Sequence, residues 1–320
     1  MGALAANEAE YAEARMLLEA GVQWCGATSE AGQRLVSALG QMRRQGPSEE
    51  VQRATESIEW PGKHDFSPYE PSANSFQRFS TPAWPSDCPR GSWYPSGEGS
   101  VCVSHTPILP PAECAWVVKA VEQAAKEKWS VDHSNKANIG VDKIWDKPFP
   151  DRLWLREVPG LQDWFEHRLV TRLFPMLQSL YPEAIPHADC LRCHDAFISR
   201  YDAGGMASLE VHQDTTDFTF TIALNPLSEY EGGGTVFPTL RNAGELEAPY
   251  GEMVVRPDVG CVASFPGRLH HGGNEITSGY RYIIPLFIFL DINRLSAKPR
   301  GYLLERLGIS PPVLKGIDAL

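Results

Sequence analysis

The chain has 320 residues, enough for one large domain or two small ones, and its hydrophobic content of 42% and charged content of 22% are ordinary for a globular protein. The net charge of −11, with no local run of Lys and Arg, argues against nucleic acid as a partner. No stretch approaches the roughly 20 consecutive apolar residues of a membrane helix, so no membrane association is expected.

The N-terminal region, residues 1–59, is predicted to be helical. Its Ala-, Glu- and Leu-rich segments, AEYAEARMLLEAG and SEAGQRLVSALGQMRRQ, have narrow apolar faces, so we expect an appendage that packs onto another part of the protein. The first residues lack the apolar run of a secretory signal. The seven scattered cysteines are an odd number in a chain too long to need disulfides, so we expect reduced thiols and a cytoplasmic location.

Residues 60–100 are rich in Pro, Ser and Gly and show no sustained periodicity. This composition is typical of a linker or of an extended segment that wraps around a domain, and the aromatic residues within it favour the wrap. Regular patterns return at about Val101. We therefore expect residues 101–320 to form the main domain.

Two helices are predicted at the start of this domain. PPAECAWVVKAVEQAAKEKW begins at paired prolines and repeats apolar residues at helical spacing. VPGLQDWFEHRLVTRLFPMLQSLYP is predicted to bend at Pro175, and His167 within it, among polar neighbours, is expected at the surface. From Cys190 onward, short β-rich runs are separated by Gly, Pro, Asn and Asp. This order predicts an α+β chain with a closed or double-sheet β architecture and helices against one face.

The run CLRCH, from Cys190 to His194, has the spacing of a c-type haem attachment site. A zinc site that also uses His187 is a second interpretation. The favoured one is a strand, because the alternating run DCLRCHDAFISRYD continues through it to Tyr201 and the expected reducing compartment does not suit c-type haem. We therefore do not expect a cytochrome.

A possible metal site is suggested by the segment SLEVHQDTTDFTFTIALN, in which His212 and Asp214 are two residues apart and so share one face of a strand. His270 and His271 follow near another strand end, in PGRLHHGGNEITSGYRYIIPLF. Two histidines and one carboxylate form the facial triad of non-haem Fe(II) oxygenases, which leaves three metal positions open. H-x-D alone occurs by chance in many chains.

Arg281, ten positions after His271, strengthens this interpretation. Its guanidinium is permanently charged and forks onto carboxylates, as the far end of a dicarboxylate such as 2-oxoglutarate requires. Its neighbours in the sequence are aromatic and apolar, and an unpaired buried guanidinium is costly. The alternative is an arginine that reaches water from a strand end.

Taken together, the runs YDAGGMASLEVHQD, DFTFTIALN, YEGGGTVFP, PGRLHHGG and TSGYRYI resemble the catalytic domain of Fe(II)/2-oxoglutarate dioxygenases. The similarity is greatest to the prolyl 4-hydroxylase and procollagen lysyl hydroxylase group, and the matching runs lie between about Phe197 and Asp291. The resemblance implies a double-stranded β-helix, or jelly roll, that uses Fe(II), 2-oxoglutarate and O₂, with ascorbate as a candidate reductant.

The resemblance also implies roles for individual residues. His212, Asp214 and His271 correspond to the iron ligands, with His271 preferred over His270 because HGGNEITSGYR fits the family spacing. Arg281 corresponds to the partner of the C5 carboxylate of 2-oxoglutarate. In halogenases of this superfamily a small residue replaces the carboxylate, so Asp214 favours hydroxylation.

Three further residues are candidates for cosubstrate binding. Tyr201 occupies a position that lines the cosubstrate pocket in the resembled group. Thr219 and Thr221 share a strand face beside the site, where a hydroxyl can form a hydrogen bond with the C5 carboxylate of 2-oxoglutarate. Threonine is, however, also an ordinary strand residue.

The substrate stays open, because NIGVDKIWDKPFPDRLWLRE matches no substrate motif of the family. A prolyl or lysyl residue of a peptide, or a related amino acid, is the first expectation. A free amino acid or other small metabolite, which would be hydroxylated, cyclised or desaturated, is the second. The third is a scaffold that binds iron without turnover.

Overall fold

The computed structural model describes residues 58–63, 65, 69–70, 75–83, 97–125, 151–214 and 216–290. The predicted helical appendage of residues 1–59 lies almost entirely outside these ranges. The run NIGVDKIWDKPFPDRLWLRE, residues 138–157, which matches no substrate motif, is described only from residue 151 onward.

The helices of the described ranges are α1 (Pro111–Ala124), α2 (Leu161–Arg168) and α3 (Phe174–Leu180), with a π turn at Leu169–Leu173 and short 3₁₀ helices at Leu155–Glu157, Ala188–Cys190 and Leu227–Glu229. The π turn ends just before Pro175, where the sequence predicts a bend, because proline cannot donate the regular helical hydrogen bond. None of these helices is long and apolar enough to cross a membrane. His167 of α2 is buried, so its predicted surface position is wrong.

The strands of the described ranges are β1 (Phe76–Ser80), β2 (Val101–Ser104), β3 (Asp151–Trp154), β4 (Leu191–Asp202), β5 (Leu209–His212), β6 (Phe218–Ala223), β7 (Tyr230–Gly232), β8 (Thr235–Asn242), β9 (Gly251–Val255), β10 (Val262–Pro266), β11 (His271–Gly273) and β12 (Ile276–Leu290). Their order in the sheet is β3-β4-β12-β6-β10-β2-β1-β8-β11-β5, with β7 beside β12 and β9 beside β8. The pairs are antiparallel. This order places β3 and β5 at the two ends of one curled sheet, with the last strand, β12, between β4 and β6.

The curled sheet encloses an apolar interior to which both of its halves contribute. Phe265 of β10 lies on one half and Phe237 of β8 on the other, and their ring centroids are 5.0 Å apart in an edge-to-face contact. Val101 of β2 and Phe79 of β1 belong to the same cluster. A curled antiparallel sheet packed around such an interior fits a jelly-roll core, and the predicted fold class is confirmed for this part of the chain.

Alternation along β6 separates the helix side of the sheet from its interior. Phe218, Phe220 and Ile222 belong to the large core that the sheet forms with α1, α2 and α3. Because side chains alternate along a strand, Thr219 and Thr221 point into the curled sheet. Along β6, the interior face therefore carries hydroxyl groups, next to the apolar cluster of the other strands.

The backbone at Gly62 and Asp65 is held against the helices by a buried ion pair. Arg168 of α2 and Glu113 of α1 are both buried, with 2.7 Å between guanidinium nitrogen and carboxylate oxygen. Arg168 also donates to the carbonyl of Gly62 at 2.8 Å and to that of Asp65 at 3.0 Å. A Cβ at Gly62, where φ is +76°, would overlap the guanidinium, so this turn requires glycine.

The segment 60–100, predicted to be a linker or a wrap, contributes β1 (Phe76–Ser80) to the sheet, where it pairs with β2 and β8.

The run CLRCH lies where a 3₁₀ helix passes into β4. Cys190 is the last residue of that helix rather than a strand residue, and its thiol donates to the carbonyl of His187 at 2.8 Å. Cys193 lies in β4, the strand that continues to Tyr201 as predicted. The side chain of His194 lies outside the described structure. Among the described residues, a group of ligand atoms close enough together to bind a metal is formed by His212, Asp214 and His271. These residues lie in the interior of the curled sheet and not in the run CLRCH.

Candidate active site

Two histidines face each other across the pair formed by β5 and β11. His212 ends β5, His271 begins β11, the two residues are register partners, and their ring centroids are 4.5 Å apart. In each ring Nδ1 lies 2.8 Å from a backbone carbonyl two residues earlier, that of Glu210 or Leu269. A carbonyl only accepts, so Nδ1 carries the proton and Nε2 keeps its lone pair. Both rings are thus fixed in the tautomer that binds a metal through Nε2.

Asp214 brings a carboxylate to the same point. Its Oδ1 lies 3.6 Å from Nε2 of His212, and its Oδ2 lies 3.4 Å from Nε2 of His271. Ligands about 2.1 Å from an ion and at right angles to each other are about 3 Å apart. The three side chains are therefore spaced to hold one metal ion, and their chemistry, two imidazoles and one carboxylate, suits Fe(II).

The environment keeps Asp214 and His271 in the protonation states that metals require. Burial alone would raise the pKa of Asp214, but the polar groups around its carboxylate, among them the donating hydroxyl of Thr219, hold that pKa below its usual value. Burial lowers the pKa of His271, in spite of the opposing attraction of Asp214. A charged carboxylate and a neutral imidazole are the forms that coordinate a cation.

His270 is the alternative ligand that the sequence offered. It is exposed and lies just before β11, whereas His271 is 5% exposed and points inward. His270 is not part of the cluster of ligand atoms in the described structure.

Backbone hydrogen bonds join the two segments that carry the ligands. The N–H of Asp214 donates to the carbonyl of Gly267 at 2.8 Å, and the N–H of Gly267 donates to the carbonyl of Asp217 at 3.1 Å. The side-chain amide of Gln213 donates to the carbonyl of Arg268 at 2.7 Å. The loop after His212 and the turn before His271 thus form one unit. No sequence pattern predicts this clamp between the two segments, although the PG dipeptide before the histidine pair signals a turn.

We expect Gly267→Ala to weaken metal binding and lower stability. A Cβ at Gly267 would overlap both the carbonyl and the hydroxyl oxygen of Thr216, so the loop must shift. Overpacking of this kind costs about 1–3 kcal/mol of the free energy of unfolding. The measurement is thermal unfolding together with a Mn(II) titration.

Gly251→Ala is the matched control, because a Cβ there meets nothing within 4 Å. Wild-type stability and metal affinity in the Gly267 variant would show that the clamp does not position the ligands.

A buried arginine lies beside a tyrosine on the same interior face. Arg281 of β12 is 2% exposed, pairs in register with Tyr201 of β4, and has its guanidinium carbon 5.3 Å from the tyrosine ring centroid. No carboxylate in the described part of the chain pairs with it. Since an unpaired buried guanidinium is unfavourable, the site is suited to an anionic ligand.

Two glycines leave space for the side chains of Arg281 and Tyr201. A Cβ at Gly233 would lie 3.1 Å from Cδ of Arg281, and one at Gly273 would lie 2.7 Å from the hydroxyl of Tyr201. Burial raises the pKa of Tyr201, against the attraction of Arg281, so its hydroxyl stays protonated and can donate.

The two candidate threonines differ in their partners. Thr219 donates its hydroxyl to Oδ2 of Asp214 at 2.6 Å. Thr221, two residues further along the same face, is buried, and its hydroxyl has no hydrogen-bond partner among the described residues. Thr221 is therefore the threonine that has a hydroxyl to offer a ligand.

The interior of the jelly-roll core thus brings two imidazoles and a carboxylate together and also buries an arginine that lacks an anionic partner in the described chain. These are the features that the resemblance to Fe(II)/2-oxoglutarate dioxygenases predicts, and sequence comparison finds relatives with that name. The chain is 31% identical over 185 residues to procollagen-lysine,2-oxoglutarate 5-dioxygenase 1 of Mus musculus, covering 57% of this chain and 23% of the relative. It is 35% identical over 185 residues to the multifunctional procollagen lysine hydroxylase and glycosyltransferase LH3 of Homo sapiens, with the same coverage.

The resemblance to procollagen lysyl hydroxylases predicted from the motifs is thus confirmed. The chain spans less than a quarter of the length of these relatives. No family model matches the chain.

Solved structures of oxygenases are also similar to this chain. The carbocyclase SnoK from nogalamycin biosynthesis is 16% identical, with a TM-score of 0.42 over 59% of this chain and 79% of that one. The viral collagen prolyl hydroxylase vCPH from Paramecium Bursaria Chlorella virus-1 is 18% identical, with a TM-score of 0.37 over 64% of this chain and 95% of that one. The jelly-roll assignment itself rests on the strand order of this protein.

Proposed function

We propose that this protein is an Fe(II)- and 2-oxoglutarate-dependent dioxygenase that hydroxylates an unactivated C–H bond. The observation that carries the proposal is the combination of Arg281, buried without an anionic partner in the described chain, with the cluster of His212, Asp214 and His271 in the same curled sheet. A metal and a dianionic cosubstrate account for both features at once. The relationship to 2-oxoglutarate dioxygenases supports it.

In this proposal His212, Asp214 and His271 hold the iron, and Arg281 binds the C5 carboxylate of 2-oxoglutarate. Bound Fe(II), with 2-oxoglutarate and O₂, supplies the oxidising chemistry. Three protein ligands would leave the remaining positions of a six-coordinate ion open to cosubstrates. Asp214 supplies the carboxylate that favours hydroxylation.

The other residues of the interior orient the cosubstrate and exclude water. Tyr201 covers one side of Arg281, and Thr221 offers its hydroxyl from β6. Phe265 and Phe237 lie 4.5 and 6.3 Å from the ring of His271, so one side of the metal site is apolar. A dry, preorganised pocket strengthens the charge–charge contact between Arg281 and a carboxylate.

The proposed substrate is a peptide with a lysyl or prolyl residue, or a related amino acid. The names of the relatives refer to procollagen lysine, which supports a peptide. A free amino acid or small metabolite is the alternative outcome of the assay below. Ascorbate as a reductant and a cytoplasmic location belong to the same proposal. The five described cysteines are free thiols, in keeping with a reducing compartment.

The test is succinate release from 2-oxoglutarate by the full chain with Fe(II) and O₂, with and without Lys- or Pro-containing peptides. We expect succinate release that depends on iron, rises with a substrate peptide and accompanies the addition of one oxygen atom to that peptide by mass spectrometry. Free lysine and proline are run in parallel to distinguish a small-molecule substrate. Succinate release no higher than in iron-free controls, for every substrate, would contradict the proposal.

A further inference from the structure

A pair of buried hydroxyls lies behind the carboxylate of the metal cluster. Thr219 donates to Oδ2 of Asp214 at 2.6 Å, and the hydroxyl oxygen of Thr216 lies 3.1 Å from that of Thr219. Both threonines are almost completely buried. The proposed chemistry uses neither hydroxyl.

The direction of this chain of hydrogen bonds follows from proton counting. A hydroxyl has one proton to donate and two lone pairs with which to accept. Thr219 gives its proton to Asp214, so its oxygen accepts from Thr216. The order is therefore Thr216 to Thr219 to Asp214, and each bond in such a chain strengthens the next.

The clamp between the ligand-bearing segments holds this chain of hydroxyls in place. Thr216 packs against Gly267 so closely that a Cβ there would overlap the Thr216 hydroxyl. Thr219 is fixed by its place in β6, where it pairs in register with Phe265 and Phe287. The carboxylate of Asp214 is thus held by the hydroxyl of Thr219 in β6, and its backbone N–H is held by the turn at Gly267.

We propose that Thr219, supported by Thr216, is a positioning residue that orients the Asp214 carboxylate for the metal. The inference rests on the proposed metal site. Partners of metal ligands fix the orientation of those ligands, and their loss typically lowers metal affinity 10- to 100-fold. This role differs from the cosubstrate contact that the sequence predicts for Thr219, because the only hydroxyl proton of Thr219 goes to Asp214.

The experiment is a calorimetric titration of the full chain with Mn(II) alone, which requires no turnover. We expect Thr219→Val to weaken Mn(II) binding about 10- to 100-fold, because valine keeps the branched shape but removes the hydroxyl. Thr219→Ser restores a hydroxyl and should bind Mn(II) within a few-fold of wild type. Thr171→Val is the matched control, because Thr171 is equally buried but donates its hydroxyl to the carbonyl of His167 on the helix side, and the change should leave Mn(II) affinity unchanged.

A double-mutant cycle tests the chain of hydroxyls. Thr216→Val should weaken Mn(II) binding in the wild-type background but have no further effect when Thr219 is already valine. Thermal unfolding of the metal-free variants checks that each is folded. Equal Mn(II) affinity in wild type and folded Thr219→Val, or no rescue by serine, would overturn the inference. Failure of the wild-type protein to bind Mn(II) would instead contradict the proposed metal site.

Discussion

Replacing His271 or Asp214 by alanine is expected to abolish both Fe(II) binding and 2-oxoglutarate turnover, and His212→Ala should do the same. Each change removes one of the three ligand atoms that lie within 4.8 Å of one another. A site with two protein ligands neither holds the ion firmly nor fixes its open positions. The measurement is metal content after dialysis, together with succinate release.

His270→Ala is the matched control for this prediction. His270 is adjacent to His271 in sequence but is exposed, so its removal should retain most of the metal binding and turnover. The reverse result, an inactive His270 variant beside an active His271 variant, would exchange the roles of the two histidines and contradict the orientation of β11.

Local sequence patterns predicted an α+β chain with a closed or double-sheet β architecture, whereas the resemblance to a known family predicted the jelly roll and selected the residues of the cluster. The two-residue spacing of His212 and Asp214 predicts a shared strand face, because strand side chains alternate. β5 ends at His212, however, and Asp214 lies in the loop that follows, where its N–H donates to the carbonyl of Gly267. The two side chains therefore meet through the path of the loop and not through strand alternation.

Contacts between distant parts of the chain could not be predicted in this way. The pairing of β1 with β2 on one side and with β8 on the other depends on how the sheet curls, which no short pattern encodes. The buried ion pair of Glu113 and Arg168 joins residues 55 positions apart. Two charged side chains on separate helices are usually surface residues, and only tertiary structure shows that they bury each other.

The candidate site also depends on contacts between distant parts of the chain that local patterns do not predict. The partners of Thr219 and Thr221 differ although both lie on one face of β6, because only Thr219 is within reach of Asp214. The expected role of a threonine in cosubstrate binding stays a prediction. The contribution of Gly267 depends on a turn that approaches the loop after His212 only in the folded chain.

Arg281→Ala is expected to raise the 2-oxoglutarate concentration required for half-maximal succinate release by about 30- to 700-fold. This range corresponds to a loss of about 2–4 kcal/mol of charge-assisted hydrogen bonding to a carboxylate in a buried site. Arg241→Ala is the matched control. Arg241 also stacks on a tyrosine, Tyr250, at 4.6 Å, but it already has a carboxylate partner in Glu98 at 3.8 Å. Its loss should leave the 2-oxoglutarate requirement unchanged.

The stability of the Arg281 variant provides a second readout. A structural arginine would be paired, and its removal would leave a buried charge uncompensated and destabilise the protein without any ligand. Arg281 has no such partner in the described chain, so Arg281→Ala should change the melting temperature of the ligand-free protein little. It should instead abolish the rise in melting temperature that 2-oxoglutarate produces in the metal-loaded wild type, because that rise reflects binding to the native state. An unchanged 2-oxoglutarate response in the folded variant would remove Arg281 from the site and leave its burial without an explanation.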